Sequence, residues 1–347
     1  MKAALQARAC ELGFDVCRVT SADPPASGPR FQDWLRAGHH GAMDYLQRTT
    51  ATRLDPRRAL DGLRSIVLLA ASYHAAPTAA PDPAAAGPRG RVARYARYAD
   101  YHEVLAPRLE ALARFIEGLG GTGTRTCIHV DTGPLLERDL AQRGGVGFIG
   151  KHTNLVHRRL GNWLFLAEIL TTLSLPPDPP EPNHCGTCSR CLAACPTGAL
   201  VAPFVLDARR CLSYLTIEHK GPIPLELRPA LGDRIFGCDD CLEACPWNRF
   251  ARQTAAFQDH ARPDLAAPGL LDLLALDDDA LRDRLRGAPV LRAKRRGLRR
   301  NICVALGNVG GAESVSALAD AAADPDPLVA EHARWALDRI RARRSEI

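Results

Sequence analysis

Eight cysteines fall between residues 185 and 245 of this 347-residue chain, and their spacing is its strongest chemical signal. The first block reads Cys185-Gly-Thr-Cys188-Ser-Arg-Cys191-Leu-Ala-Ala-Cys195-Pro196, a C-x2-C-x2-C-x3-C-P run. Three thiolates two residues apart on a tight loop can hold three corners of an iron–sulfur cube. The fourth, carried away near Pro196, points toward a second cube. The second block, Cys238-Asp-Asp-Cys241-Leu-Glu-Ala-Cys245-Pro246, lacks its leading cysteine, and Cys211, 27 residues before Cys238, is the replacement. Crossing the ligands between blocks gives Cys185, Cys188, Cys191 and Cys245 to one [4Fe–4S] cluster. Cys195, Cys211, Cys238 and Cys241 then hold the other. Structural zinc also uses C-x2-C pairs, but the paired Cys-Pro endings favour iron–sulfur. Such clusters move electrons and do no substrate chemistry, so the reacting groups should lie elsewhere in the chain.

The remaining four cysteines, Cys10, Cys17, Cys127 and Cys303, are expected to be small buried hydrophobes. With 46% hydrophobic and 24% charged residues, disorder is excluded as the main state. No apolar run reaches membrane-span length, and the N-terminal MKAALQARACELGF reads as an amphipathic helix, not an export signal. Unpaired thiols and these features point to the cytoplasm and to no membrane contact. The formal charge is +6, but residues 282–300 carry nine basic residues against one acid, so the rest of the chain is slightly acidic. One local basic patch predicts a polyanion contact, the plainer reading being a solvated helix face.

The elements that must position these groups follow from periodicity. A buried strand is expected at 65–71, a helix at 103–119 stopped by Gly120 and Gly121, and a strand at 126–130 that ends at Asp131. A helix at 135–142, a glycine-rich turn at 144–150 and a strand region at 162–173 complete a mixed α/β unit over residues 1–175. The Pro/Ala-rich run from 74 to 90 reads as a surface loop. Five prolines in 176–182 form an extended linker into the cysteine segment, 176–250. Residues 251–347 are Ala/Leu-rich and helical. Val304-Ala305-Leu306 is echoed by Trp335-Ala336-Leu337 at an offset of 31, which suggests paired helices of a solenoid. The fold class is therefore α+β and multidomain.

Several segments, in order, resemble the epoxyqueuosine reductase family of tRNA modification. They are Arg94-Tyr95-Ala96-Arg97-Tyr98-Ala99-Asp100-Tyr101-His102, Asp131-Thr-Gly-Pro134 with Glu137-Arg138, and Gly147-Phe148-Ile149-Gly150-Lys151-His152-Thr153-Asn154. Cys211 to Gly221 and Gly237 through Asn248 complete the set, and the likeness covers roughly residues 1–345. Phe148 stands where the family often has Trp, and His152 where it sometimes has Asn. The resemblance implies an α/β cobalamin-binding domain, a bacterial ferredoxin-like two-cluster domain and C-terminal HEAT-like helical repeats. It implies reductive removal of the epoxide oxygen of epoxyqueuosine at the wobble position of tRNA, in a monomer fed by an external low-potential electron donor.

The resemblance makes Asp131 the proton donor to the departing oxygen. A carboxyl does that at neutral pH only if burial raises its pKa, so a desolvated site beside the corrin is expected. On residue type alone Asp131 would be a helix N-cap. By the same carry-over Arg53, Tyr95, Asp131, Asn154, Ser213 and Thr216 are cobalamin contacts, and the glycines of 144–150 admit a flat corrin. Lys151 could meet a corrin amide, a tRNA phosphate or water. Arg292, Lys294, Arg295, Arg296, Arg299 and Arg300 are assigned to tRNA phosphates, with Trp247 and Tyr214 as aromatics that could stack on bases. Three alternatives differ in class. They are a cobalamin reductive dehalogenase, a ferredoxin-type electron carrier fused to an RNA-binding module, and a zinc-stapled nucleic-acid-binding protein.

Overall fold

The computed structural model describes residues 1–75, 87–252 and 254–345. Most of the Pro/Ala-rich run expected as a loop, residues 76–86, lies outside the described residues.

Ser65–Ser72, with the sequence SIVLLAAS, is buried at every position and therefore occupies the middle of a sheet, not its edge. It pairs antiparallel with Val16–Ser21 on one side and Leu164–Thr171 on the other, and Thr126–His129 closes the far edge. Strands from distant parts of the sequence are thus adjacent, and every pairing in this sheet is antiparallel. One face carries Val67, Leu69, Phe165 and Ile169 against the helices Lys2–Glu11 and Tyr101–Gly120. The other carries Ile66, Leu68 and Leu170 against Leu135, Leu140 and Ala141. The Tyr101–Gly120 helix starts at Asp100, whose side chain accepts from the His102 N–H, and it stops at Gly121, φ +74°. That φ is open to glycine without a Cβ clash.

The cysteine segment is built of single-turn helices, Arg190–Ala194 and Asp240–Glu243, with a small hairpin, Leu200–Ala202 and Val205–Leu206. A short parallel pairing of Arg234–Phe236 with Arg91–Val92 ties it to the first half of the chain. Beyond it, Lys294–Val309, Val315–Ala322 and Pro327–Ser345 pack together. The echoed pairs Ala305/Ala336 and Leu306/Leu337 all enter one apolar cluster. Gly307 permits this closeness, because a Cβ there would sit 2.7 Å from the Trp335 ring and 2.8 Å from the Ala336 Cα. Among the described residues no helix is long and apolar enough to cross a membrane. Cys17 and Cys303 are buried as expected, whereas Cys10 is exposed on the outer face of the first helix.

Gly307→Val should cost about 1–3 kcal/mol by overpacking, read as a lower midpoint of chemical unfolding. Gly118→Ala, in a helix with nothing near its Cβ position, should instead be neutral or stabilising.

Candidate active site and cluster centres

The eight thiols of the cysteine segment stand in two adjoining groups. Burial raises the Cys191 thiol, as do Cys185 and Cys188 beside it. Cys245 is pushed up to about 11 by burial, with Cys185, Cys191 and Cys188 as its sulfur neighbours. In the second group burial pushes Cys238 up to about 12 with Cys211 nearby, and Cys241 senses Cys211, Cys238 and Cys195. Cys241 also senses Cys191, so the groups meet. Backbone N–H groups already aim at the sulfurs, Lys151 at Cys185 Sγ (3.4 Å) and Ala199 at Cys195 Sγ (3.2 Å). Among the described residues no three His, Cys, Asp or Glu side chains are close enough to hold one ion. A four-iron cube needs its thiolates wider apart than a single zinc does. Lys151, left open by the sequence, donates through Nζ to the carbonyls of Gly186 and Cys188 (both 2.8 Å) and braces the first cysteine loop.

Asp131 leaves the edge strand Thr126–His129 with φ +56°, a left-handed value that a non-glycine residue adopts at a cost. The Thr132 N–H donates to the Val130 carbonyl across it. The Asp131 carboxylate accepts from Tyr101 Oη (2.9 Å) and lies 3.4 Å from an Arg292 amine. The other Arg292 amine is 2.8 Å from Glu218 Oε1. Burial lowers the Arg292 pKa, but Glu218 and Asp131 raise it further, so its charge is fixed. Burial and Asp131 hold the Tyr101 hydroxyl protonated. The helix after the loop begins at Glu137 with Leu136 at its N-cap and no side-chain cap, so Asp131 is not a capping residue. Nor is it desolvated as expected, since its side chain is 42% exposed.

Tyr101 and Glu218 were present in the sequence only as members of motifs, with no signal for their partners. Arg292 was placed with the tRNA residues and belongs instead to this acidic site. Two further carboxyls sit close by. Glu168, facing His129 across the sheet, is 2% exposed and makes no hydrogen bond or ion pair among the described residues. Its pKa lies well above the ordinary range through burial and then the charges of Glu137 and Asp131. Glu137 is pushed up to about 7 by burial and Asp131.

The expected cofactor contacts divide into two kinds. Arg53 is buried, donating from Nε to Thr49 Oγ1 (2.9 Å) and from an amine to the Leu135 carbonyl (2.7 Å), so it clamps the Asp131 loop from beneath. Thr216 is 1% exposed and its hydroxyl is fully used, donating to the Leu212 carbonyl and accepting from the Gly237 N–H. Both are corrected from contact residues to positioning residues. Tyr95, Asn154 and Ser213 are partly exposed, and among the described residues their side-chain polar groups have no protein partner. The glycine-rich turn is likewise corrected: Gly147 lets the Val156 carbonyl approach, and Gly145 the Pro179 carbonyl, so these glycines serve the chain's own backbone.

The basic run changes most. Arg300 is fully buried, its guanidinium bonded to the carbonyls of Leu215 (2.6 Å), His219 (2.8 Å) and Gly221 (2.7 Å). No phosphate can reach it. Arg295 pairs with Asp278 and Asp324, Arg299 with Asp324, and Arg296 with Asp326. Lys294 is exposed and unpaired among the described residues. Tyr214 is buried with its hydroxyl accepting from the Ala42 N–H, which removes it as a base-stacking residue.

Paired thiol groups beside an Asp–Tyr–Arg site define the class of iron–sulfur oxidoreductases. A family described as "4Fe-4S double cluster binding domain" matches residues 184–248, and "Epoxyqueuosine reductase QueG, DUF1730" matches residues 53–132. Epoxyqueuosine reductase of Xanthomonas campestris is 42% identical over 338 residues, covering 96% of this chain and 95% of the relative. That of Escherichia coli K12 is 38% identical over 341 residues, 96% and 88% of the two chains. A crystal structure of epoxyqueuosine reductase with an epoxyqueuosine-modified tRNA-Tyr stem loop superposes with TM-score 0.91 at 32% identity, covering 98% of this chain and 90% of the other. The Bacillus subtilis enzyme, solved with an aspartate catalytic loop swung out of its active site, gives 0.88 at 31%, again over 98% and 90%. This chain belongs to the epoxyqueuosine reductase family.

The Glu137 and Glu168 carboxyls set a pH dependence. The ordinary glutamate pKa is 4.5 and Glu137 stands at about 7, so between these values the folded chain binds protons that the unfolded chain has lost. Stability therefore falls as pH rises through that window. Glu168→Gln should flatten the fall, seen as a smaller difference between chemical unfolding midpoints at pH 5.5 and pH 8.

Proposed function

We propose that this chain reduces the epoxide of epoxyqueuosine in tRNA to the alkene of queuosine, taking up two electrons and two protons and releasing water. The observation that carries this reading is the tie between the two centres. Cys211 opens the helix Leu212–Ile217, and Glu218 at its end pairs with the Arg292 that touches Asp131. Electrons and the proton donor are thereby brought to one place.

In this reading both thiol groups hold [4Fe–4S] clusters and residues 1–175 hold cobalamin. Tyr95, Asn154 and Ser213, whose polar groups lack protein partners, would hold the corrin, with Arg53 and Thr216 fixing the loops behind them. Bound cobalamin would supply the low-potential reductant at carbon that no side chain offers. Asp131 gives its proton to the departing oxygen, Tyr101 fixes the orientation of that carboxyl, and Arg292 holds the adjoining acidic strand-end and helix-end together. Because Asp131 is open in the free chain, the docked anticodon loop is what covers it and excludes water. Residues 251–347 form HEAT-like repeats beside the site, and Lys294 and Arg296 are their phosphate contacts.

The test is anaerobic turnover of an epoxyqueuosine-bearing tRNA stem loop with cobalamin and a chemical reductant, read by mass analysis of the nucleosides. Asp131→Asn should lower turnover by about 10²–10⁴-fold while leaving stem-loop affinity intact, and unchanged turnover would remove its role. Lys294→Glu combined with Arg296→Glu should weaken stem-loop binding and reduce the slope of log affinity against log salt by roughly 1–2.

A further inference from the structure

A second feature lies at the opposite edge of the sheet from Asp131. The outer strand there is Val16–Ser21, three strands removed from Thr126–His129. Against it opens a groove of about 1010 Å³. Arg18, Arg158, Arg159, Arg249 and Arg252 line it, and Trp247 and Phe250 supply its aromatic surface. Among the described residues only Arg158 has a carboxylate partner, Glu181 at 3.8 Å, and Glu181 is already engaged by His184 at 2.8 Å. The other acid in the groove, Asp15, accepts from the Ser72 N–H and Thr254 Oγ1. Five guanidiniums thus face two carboxylates, and the lining keeps an excess of positive charge. Burial, helped by the adjacent Arg18, Arg159 and Arg158 and opposed by Glu181, lowers His157 to about 4. Phe250, 41% exposed, is among the few large apolar side chains left open to solvent.

The groove leads to the thiols. Trp247 follows Cys245 by two residues, and its ring centroid is 5.5 Å from Phe148 and 5.9 Å from His184, the neighbour of Cys185. The Cys185 group thus stands behind the groove, and the Cys195 group stands next to the Asp131 site through Cys211 and Glu218.

We propose that this groove docks an acidic, low-potential one-electron carrier protein and is the port through which electrons enter. Exposed aromatics rimmed by arginines are the composition of a protein-binding hot spot, and an unbalanced positive rim steers an acidic partner to it. An RNA surface would share the cations, but the tRNA base must reach Asp131 at the far edge of the sheet. Each encounter passes one electron and no atom. A carrier flavin goes from hydroquinone to semiquinone as a cluster goes from [4Fe–4S]2+ to [4Fe–4S]+, and two encounters supply one turnover.

This inference rests on the two-cluster reading above, and the experiment separates them. Protein carrying both clusters is mixed anaerobically with hydroquinone flavodoxin, an acidic flavoprotein, or with dithionite, and cluster bleaching is followed by stopped flow. Binding of oxidised flavodoxin is measured in parallel by calorimetry at two salt concentrations. Arg158→Glu with Arg159→Glu, and separately Arg249→Glu with Arg252→Glu, should slow reduction by flavodoxin at least tenfold at low salt and weaken its binding. Reduction by dithionite and affinity for the tRNA stem loop should stay unchanged. Flavodoxin rates and binding equal to wild type in both variants would overturn the proposal, and a fall in stem-loop affinity would give the groove to RNA. Reconstituted wild-type protein with no bound iron, no acid-labile sulfide and no visible absorbance would instead sink the cluster reading itself.

Discussion

Arg300 carries a charge with no access to water, and much of the site's geometry is fixed by how that charge is satisfied. Its guanidinium is bonded to the carbonyls of Leu215, His219 and Gly221 and to Asn301 Oδ1. Burial pulls its pKa down only to about 10, so it remains a cation and must keep these partners. Asn301 adds bonds to the carbonyls of Thr216 and Ile235, and the Thr216 hydroxyl accepts from the Gly237 N–H. One turn of the helix Lys294–Val309 thus grips both the helix that begins after Cys211 and the strand that precedes Cys238. Two of the four thiols in the Cys195 group, Cys211 and Cys238, are held to the same support as Glu218.

From Glu218 the constraint passes to Arg292 and so to Asp131, which belongs to the sheet. Three parts of the chain meet there by charge, not by apolar packing. That suits a site whose aspartate must be uncovered until substrate arrives, because the exposed ion pair is weak and the left-handed φ of Asp131 makes its loop costly to hold. Arg53 supplies the opposing restraint, fixing the Leu135 carbonyl from a buried position. The loop is held at its base and left open at its tip.

Charge is distributed in the fold quite differently from the way it is distributed in the sequence. Within the basic run at 282–300, Arg295, Arg296 and Arg299 meet the acidic turn Asp324–Asp326, one helix pair later, and Arg282, Arg284, Arg286 and Arg292 pair with carboxylates elsewhere. The groove near Trp247 draws its arginines from three separate stretches, none of which stands out in a charge profile. Density of like residues along the chain therefore does not report how much of that charge is left unpaired in the fold.

The cysteine spacing determined the local ligand loops Cys185–Cys191 and Cys238–Cys241, because two intervening residues leave the backbone little choice, whereas bringing Cys245 to the first loop and Cys195 and Cys211 to the second is the work of the fold. The central strand, the helix stopped at Gly121 and the delivery of Asp131 from an edge strand were legible for similar reasons: they rest on local periodicity and glycine conformation. What only the tertiary structure decided was the use of side chains whose partners are far away in sequence. Thr216 and Arg53 turn inward, Arg292 turns to the aspartate, and Tyr101 reaches it from the first turn of its helix. Burial and pairing depend on which elements meet, and a hydroxyl or guanidinium has the same formula whether it faces a ligand or a carbonyl of its own chain.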